Sequence, residues 1–205
     1  MAQVLVVCKT RMSTGLCLGG LVLGSNDKIR LLPPEGYNQP VDTPFEVGEL
    51  WDCILERKPA GRKPHTEDMY IRRQRRLGRL SNPRDFLLGR LRIEPTPKSK
   101  LFDGLLRYTG SGSAYISERT GLPDYAHAFW RPMYGLRLRQ TEKSAYYHYE
   151  DPDWDERFRL PYVGLEDRVP WLAPGSLLHL SLARWWQQPG IREKRCYLQL
   201  SGWFL

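Results

Sequence analysis

Apolar and polar positions fall into short runs of about four to eight residues bounded by turn-forming residues, the spacing of strands; sustained 3.6-residue periodicity is scarce. Residues 3 to 8, QVLVVC, form one apolar run. Residues 17 to 23, CLGGLVL, form another, whose paired glycines allow a bend or bulge. KTRMSTG is a polar connection between them, and GSNDK at 24 to 28 is a turn that makes a hairpin of the second run and IRLL. Pro33, Pro34, Gly36 and Pro40 then exclude a regular element, because proline removes a donor and restricts its predecessor. In ELWDCILER, at 49 to 57, Leu50, Asp52, Ile54 and Glu56 alternate with Trp51, Cys53 and Leu55, a strand with one well-buried face.

Between Lys58 and Ser81 apolar content falls and charge rises. Thr66 to Leu80 suits a charged helix docked through Met69, Leu77 and Leu80, and Asn82 followed by Pro83 is a helix start that leads on to a strand. A second unit begins near Pro95 or Pro97, with strands predicted in LFDGLLRY, SAYIS, YGLRLRQ, SAYYHYE, SLLHLSL and CYLQLSGWF and a long aromatic loop around Asp124 to Pro132. The connections are too short for the crossovers of a parallel sheet, so the pattern predicts a mainly β protein of antiparallel barrels or sandwiches. No repeat period suggests a solenoid.

Charge sharpens this picture. The 205-residue chain carries 31 Lys and Arg against 23 Asp and Glu, a net +8. From Arg57 through Arg92 there are 12 basic and 3 acidic residues, 12 − 3 = +9; the remaining 19 basic and 20 acidic residues give −1. The whole excess therefore lies in one segment. On a helix, Arg72, Arg75, Arg76 and Arg79 would fall three or four positions apart and repel one another unless an anion gathered them. Phosphates do so, through directed guanidinium donors and counterion release. An acidic protein partner and a solvated arginine face are the other readings of the same tract.

Stacking rings must come from elsewhere, since Tyr70 is the one Phe, Tyr or Trp between Thr66 and Leu80. Trp51, Trp171 and Trp203 sit in apolar surroundings and read as structural; Trp130 in HAFWRPMYG, with Tyr134, and the pair Trp185 and Trp186 read as surface candidates. The acidic run EDPDWDE at 150 to 156 places Asp151, Asp153 and Asp155 like the start of a calcium loop, but Glu156 stands where glycine is required and Tyr162 where glutamate is. It reads as a solvated turn, or as a docking site for the arginines.

No cofactor or metal site is expected. Cys8, Cys17, Cys53 and Cys196 lack the close pairs of a zinc ribbon and read as buried thiols; His65, His127, His148 and His179 show no ligand spacing. There is no GxSxG elbow, phosphate loop or dinucleotide turn, and a distributed pair such as His65 with Glu67 or Asp68, or His127 with Asp124, has no nucleophile beside it. The expectation is a non-enzyme. The opening apolar run, Val4 to Val7, is too short for a secretory core, and no window reaches the 18 or more residues needed to cross a bilayer, so a cytoplasmic protein without a membrane contact is expected.

Taken in order, VLVVCKTRMSTGLCLGGLVL, then IRLLPP with GELWDCILERKP, then YYHYEDPDWDERF with GSLLHLSLARWW and CYLQLSGWF resemble the dual OB-containing domain of prokaryotic proteins over nearly the full chain. The resemblance implies two OB-like barrels, here at 1–96, with the basic tract as a charged helical or irregular insertion, and at 97–205. It also implies nucleic-acid recognition, as a sensor or accessory component in systems acting against mobile elements. Where the family would place a polar loop after the fourth strand, this chain has KPHTEDMYI and then the arginine tract. The resulting expectation is RNA or DNA, preferably single-stranded, held by Lys9 and Arg11 at the barrel rim and by Arg72, Arg73, Arg75, Arg76 and Arg79, with Trp130 and Tyr134 stacking on bases. The alternative is a protein-interaction adaptor that uses the tract and the aromatic loop from His127 to Tyr134 on an acidic partner or a larger effector complex.

Overall fold

A computed structural model of the protein describes residues 1–36, 38–59, 61–141, 144–152 and 158–205. Asp153, Asp155 and Glu156 of the calcium-like run lie outside the described residues. The strands are β1 (Ala2–Arg11), β2 (Leu16–Val22), β3 (Lys28–Leu32), β4 (Glu49–Arg57) and β5 (Asp68–Arg79); a helix, α1 (Pro83–Leu91), follows. Then come β6 (Pro95–Thr96), a 3-10 segment (Lys98–Gly104), β7 (Arg107–Tyr108), β8 (Ala114–Ser117), β9 (His127–Pro132) and β10 (Leu136–Gln140). β11 (Ala145–Tyr149), β12 (Arg159–Pro161), β13 (Trp171–Leu172), β14 (Leu177–Leu182) and β15 (Arg195–Phe204) complete the chain. Among the described residues no helix is long and apolar enough to cross a membrane.

The first five strands close into a barrel of order β1-β2-β3-β5-β4, with β3 and β5 parallel and the other pairs antiparallel. This is the five-stranded OB cycle. Val4, Val6, Leu18, Leu31, Phe45, Trp51 and Ile71 fill it. Gly19 and Gly20 lie opposite the register shift between Val6 and Cys8. A Cβ on Gly20 would sit 2.7 Å from Val4 Cγ1, and one on Gly19 2.6 Å from Cys8 Sγ, so the paired glycines let β1 and β2 approach closely where the strand bulges.

The later strands follow a similar cycle without full closure. β9 pairs β14, β14 pairs β15, and β10 pairs β11, all antiparallel, while a parallel bridge between Tyr162 and Leu200 joins the end of β12 to β15. The protein is thus mainly β, with one closed barrel and a second, half-closed OB-like unit. A third apolar cluster joins them: Leu5, Val7 and Leu21 of the first barrel meet Leu87 of α1, Leu177 of β14 and Phe204 of β15.

Three local expectations change. Thr66 to Leu80 is not helical: β5 pairs along the whole length of β4, and that ladder outweighs the helix preference of an arginine-rich stretch. The segment around Asp124 to Pro132 is no loop, because its second half is β9, between β14 and β6. LFDGLLRY does not run as a strand; Phe102 and Asp103 take φ of +48° and +59°, which turns the chain and leaves only Arg107–Tyr108 extended. The helix start at Asn82 is as expected, its Oδ1 accepting from the Asp85 amide at 3.0 Å.

One buried ion pair sits at the barrel's parallel seam. Arg30 and Asp68 are register partners of β3 and β5, joined by two hydrogen bonds of 2.7 and 2.9 Å. Burial raises the Asp68 carboxyl, but the hydrogen bonds and charges of Arg30 and Arg184 outweigh it and hold the group below its usual range. Asp68→Asn is expected to lower stability by about 3–5 kcal/mol in urea denaturation at neutral pH, because it strands a buried guanidinium. The stabilisation from a depressed carboxyl is present above its unfolded pKa of about 3.9 and is lost as pH falls through the lower folded value. Wild type is therefore expected to lose stability below about pH 4 more steeply than Asp68→Asn does.

Candidate nucleic-acid interface

β5 displays its arginines because its register with β4 dictates where each side chain leaves the barrel. Its first half is anchored, with Asp68 and Ile71 buried; from Arg72 onward the strand is mostly exposed. Asp52 is paired directly with Arg75, and Ile54 with Arg73, on the solvent side of the ribbon. At about 3.3 Å per residue the 12-residue strand is about 40 Å long.

The arginines are not free of the protein's own carboxylates. Arg72 Nε donates to Glu56 Oε2 at 2.7 Å, Arg75 Nη2 to Asp52 Oδ2 at 2.6 Å, and Arg76 Nε to Glu49 Oε1 at 2.7 Å. All three acids lie on β4. The Glu56 carboxyl is held below its usual range by the hydrogen bond and charge of Arg72. Burial raises Glu49, but Arg76, the Glu46 amide and the Trp51 indole together hold it low.

These contacts leave much of each guanidinium open. The side chains of Arg72, Arg75 and Arg76 keep 40%, 70% and 54% of their exposure, and each meets its carboxylate through one nitrogen of a group with five N–H donors. Arg79 donates to the Val47 carbonyl at 2.9 Å, and Arg73 has no hydrogen bond or ion pair among the described residues. From Glu49 to Arg79 there are 9 basic and 5 acidic residues, 9 − 5 = +4, so the ribbon stays cationic but less so than the tract alone.

Other basic residues of the tract serve the fold. Lys63 pairs with Asp124 at 2.6 Å, Arg62 with Glu118, and Arg62 lies over the Trp185 ring at 4.8 Å. Lys9 is held by Glu46 at 2.8 Å, yet it lines a cavity of about 260 Å³ together with Arg79 and Glu166. Arg11 is exposed and lines a second cavity, of about 210 Å³, at the seam between the two units. Lys9 thus shares a cavity with Arg79 at the end of β5, whereas Arg11 lines the seam cavity beside Arg30 and Arg184, which hold Asp68 at the start of that strand.

The expected stacking residues do not join them. Trp130 is 1% exposed, packs against Tyr149 and Phe158, and donates its indole N–H to the Thr96 carbonyl at 2.7 Å. Both faces of β9 are covered, so Trp130 is a core residue and cannot stack on a base. Tyr134 is partly buried against Tyr149. Trp171, expected to be structural, is 37% exposed, its ring lying beneath Arg137 at 5.0 Å.

The seam holds polar groups that local spacing did not connect. Arg30, Arg184 and His65 line the 210 Å³ cavity with Arg11, and Asp68 accepts from both Arg30 and Arg184, the latter at 3.3 Å. Burial pushes His65 down to about 4, and its Nε2 lies 3.1 Å from the Leu182 carbonyl. Deeper in, the ligating atoms of Cys8, His127 and His179, all buried, lie within 4.8 Å of one another. His127 faces Glu67, with Nε2 3.6 Å from Oε1, and not Asp124.

The model of the dual OB-containing domain matches residues 2–203. No curated protein matches the chain in sequence. Among solved structures, the Ifi202 HINa domain in complex with 20bp dsDNA is similar at 12% identity and a TM-score of 0.39, covering 99% of this chain and 95% of that one. The p204 HINb domain is similar at 14% identity and 0.35, covering 97% and 95%. A murine DNA binding protein bound with ds DNA is similar at 10% and 0.30, covering 97% and 91%.

Trp130→Ala is expected to cost about 3–5 kcal/mol in chemical denaturation, the loss of a buried indole, where an exposed stacking residue would cost little.

Proposed function

The chain belongs to the dual OB-containing domain family, and from that premise we propose that it binds nucleic acid through phosphate contacts along the arginine-bearing strand of its first barrel. The observation that carries this reading is the display of five arginines on one long exposed strand, each with guanidinium donors to spare. Phosphate oxygens can take those donors without breaking the single-nitrogen contacts to β4, and counterion release adds to the attraction. Lys9 extends the path at the Arg79 end of β5, and Arg11 with the seam cavity lies toward its Asp68 end.

Such contacts position a backbone without reading its bases, so binding is broad in sequence. With Trp130 and Trp51 buried, the ribbon offers Tyr70 among the described residues, already under Arg72 at 5.1 Å. Base stacking therefore contributes little, and a preference for single strands would have to come from the groove's shape. The family resemblance supports a further step, that the binding serves a sensor or accessory component of a prokaryotic defence system. The adaptor reading has less support, since Met133 is the one large exposed apolar side chain between His127 and Tyr134, too little for an anchor.

Binding of single-stranded and duplex RNA and DNA across a salt series tests the proposal. Wild type is expected to show a log–log salt slope steeper than about 3, and the variant with Arg72, Arg73, Arg75, Arg76 and Arg79 all changed to Ser a slope shallower by about 3 or more. Unchanged affinity in that variant, folded as judged by circular dichroism, would overturn the phosphate role. In the opposite direction, Asp52→Asn with Glu56→Gln is expected to tighten binding roughly tenfold at low salt, because Arg75 and Arg72 are no longer shared with carboxylates.

A further inference from the structure

We infer that Cys8, His127 and His179 form a zinc site that joins the two OB-like units. Cys8 belongs to β1 of the closed barrel; His127 and His179 belong to β9 and β14 of the second unit. The side chains meet across the seam, with their ligating atoms within 4.8 Å of one another and the His127 and His179 rings 5.4 Å apart between centroids.

The buried hydrogen-bonding potential points the same way. His179 is 0% exposed, and neither of its ring nitrogens has a hydrogen-bond partner among the described residues. His127 is 6% exposed, and its Nδ1 is likewise without one. A buried polar group with no partner is costly, and one nitrogen of each imidazole lies within 4.8 Å of the Cys8 thiol. Met and Leu would fill a dry seam at no such cost.

The outer contacts fit a metal as well. Nε2 of His127 faces the Glu67 carboxylate, leaving Nδ1 for the ion, an arrangement in which a carboxylate orients a ligating imidazole. Glu67 is itself positioned by the Ala126 amide, which donates to Oε1 at 2.8 Å. One thiolate and two neutral imidazoles are ligands of zinc type, and the Cys8 thiolate and Glu67 carboxylate together balance the charge of a divalent ion. Tetrahedral zinc holds its N and S ligands about 3.3–3.6 Å apart, so the three side chains need to close by about 1 Å. Cys8 and His127 also line the seam cavity, which supplies room for a water as fourth ligand and a path of entry. Gly19 is part of the site: its missing Cβ would lie 2.6 Å from Cys8 Sγ and 3.6 Å from His179 Cε1. On binding, the S–H bond of Cys8 breaks, the S–Zn bond forms and the proton leaves to solvent.

The full chain, purified without chelator, is tested by elemental analysis, and the chelator-stripped chain by Co²⁺ titration. Expected are one zinc per chain and, with cobalt, the intense visible bands of a tetrahedral ion together with a thiolate-to-cobalt charge-transfer band. Cys8→Ser is expected to abolish the charge-transfer band while Cys53→Ser, at another buried thiol, keeps it. Glu67→Gln is expected to weaken zinc by about 10–100-fold in competition with a coloured chelator. A wild-type chain that takes up no stoichiometric cobalt, or takes it up without a thiolate band, overturns the inference whether or not the variants fold. Persistence of the band in Cys8→Ser does the same.

Discussion

The buried pair of Arg30 and Asp68 is the constraint on which the rest of the arrangement depends. An OB barrel closes through a parallel contact between its third and fifth strands, and here the two residues face each other in that ladder with bidentate geometry. Burying both charges is costly, and only a matched, hydrogen-bonded pair offsets the loss of water. Asp68 also accepts from Arg184, which follows β14 in the second unit. One carboxylate therefore fixes the barrel's closure and helps to set the seam between the units.

That anchoring decides what the other end of β5 can do. With Asp68 and Ile71 buried, the remainder of the strand runs outward along β4 and presents arginines to solvent. Five cations on one strand would repel one another if left alone. Glu49, Asp52 and Glu56 on β4 relieve the repulsion, the first two from largely buried positions and the third from an exposed one, yet each holds its arginine through one nitrogen and leaves the others open to a phosphate. The same ladder thus allows the strand to form and leaves it cationic. Arg73, unpaired among the described residues, carries this furthest.

The strands were legible where the signals are local. Alternation in ELWDCILER, the turn at GSNDK and the cap at Asn82 each reflect chemistry within a few residues, and the structure has β4, the β2–β3 hairpin and α1 in those places. What depends on a distant partner was not legible. Thr66 to Leu80 has helical spacing of arginines, and the pairings with β4 and β3 make it a strand. The acids that face the tract, Glu49, Asp52 and Glu56, precede it in sequence on β4 and meet it only through the ladder. Trp130 looked like a surface ring because a sequence does not show that β9 is covered on both faces. Cys8, His127 and His179 are 119 and 52 positions apart, beyond any spacing rule for ligands, and the seam alone brings them together.

The central claim is that guanidinium groups held by the protein's own carboxylates still receive a phosphate backbone. Nuclear magnetic resonance of the arginine Nε–H groups during titration with a short oligonucleotide addresses it residue by residue. The account predicts that the signals of Arg72, Arg73, Arg75, Arg76 and Arg79 shift together and saturate with the bound fraction, while Arg30, locked to Asp68, stays in place. Binding that leaves those five signals unmoved, and perturbs arginines elsewhere, would contradict it.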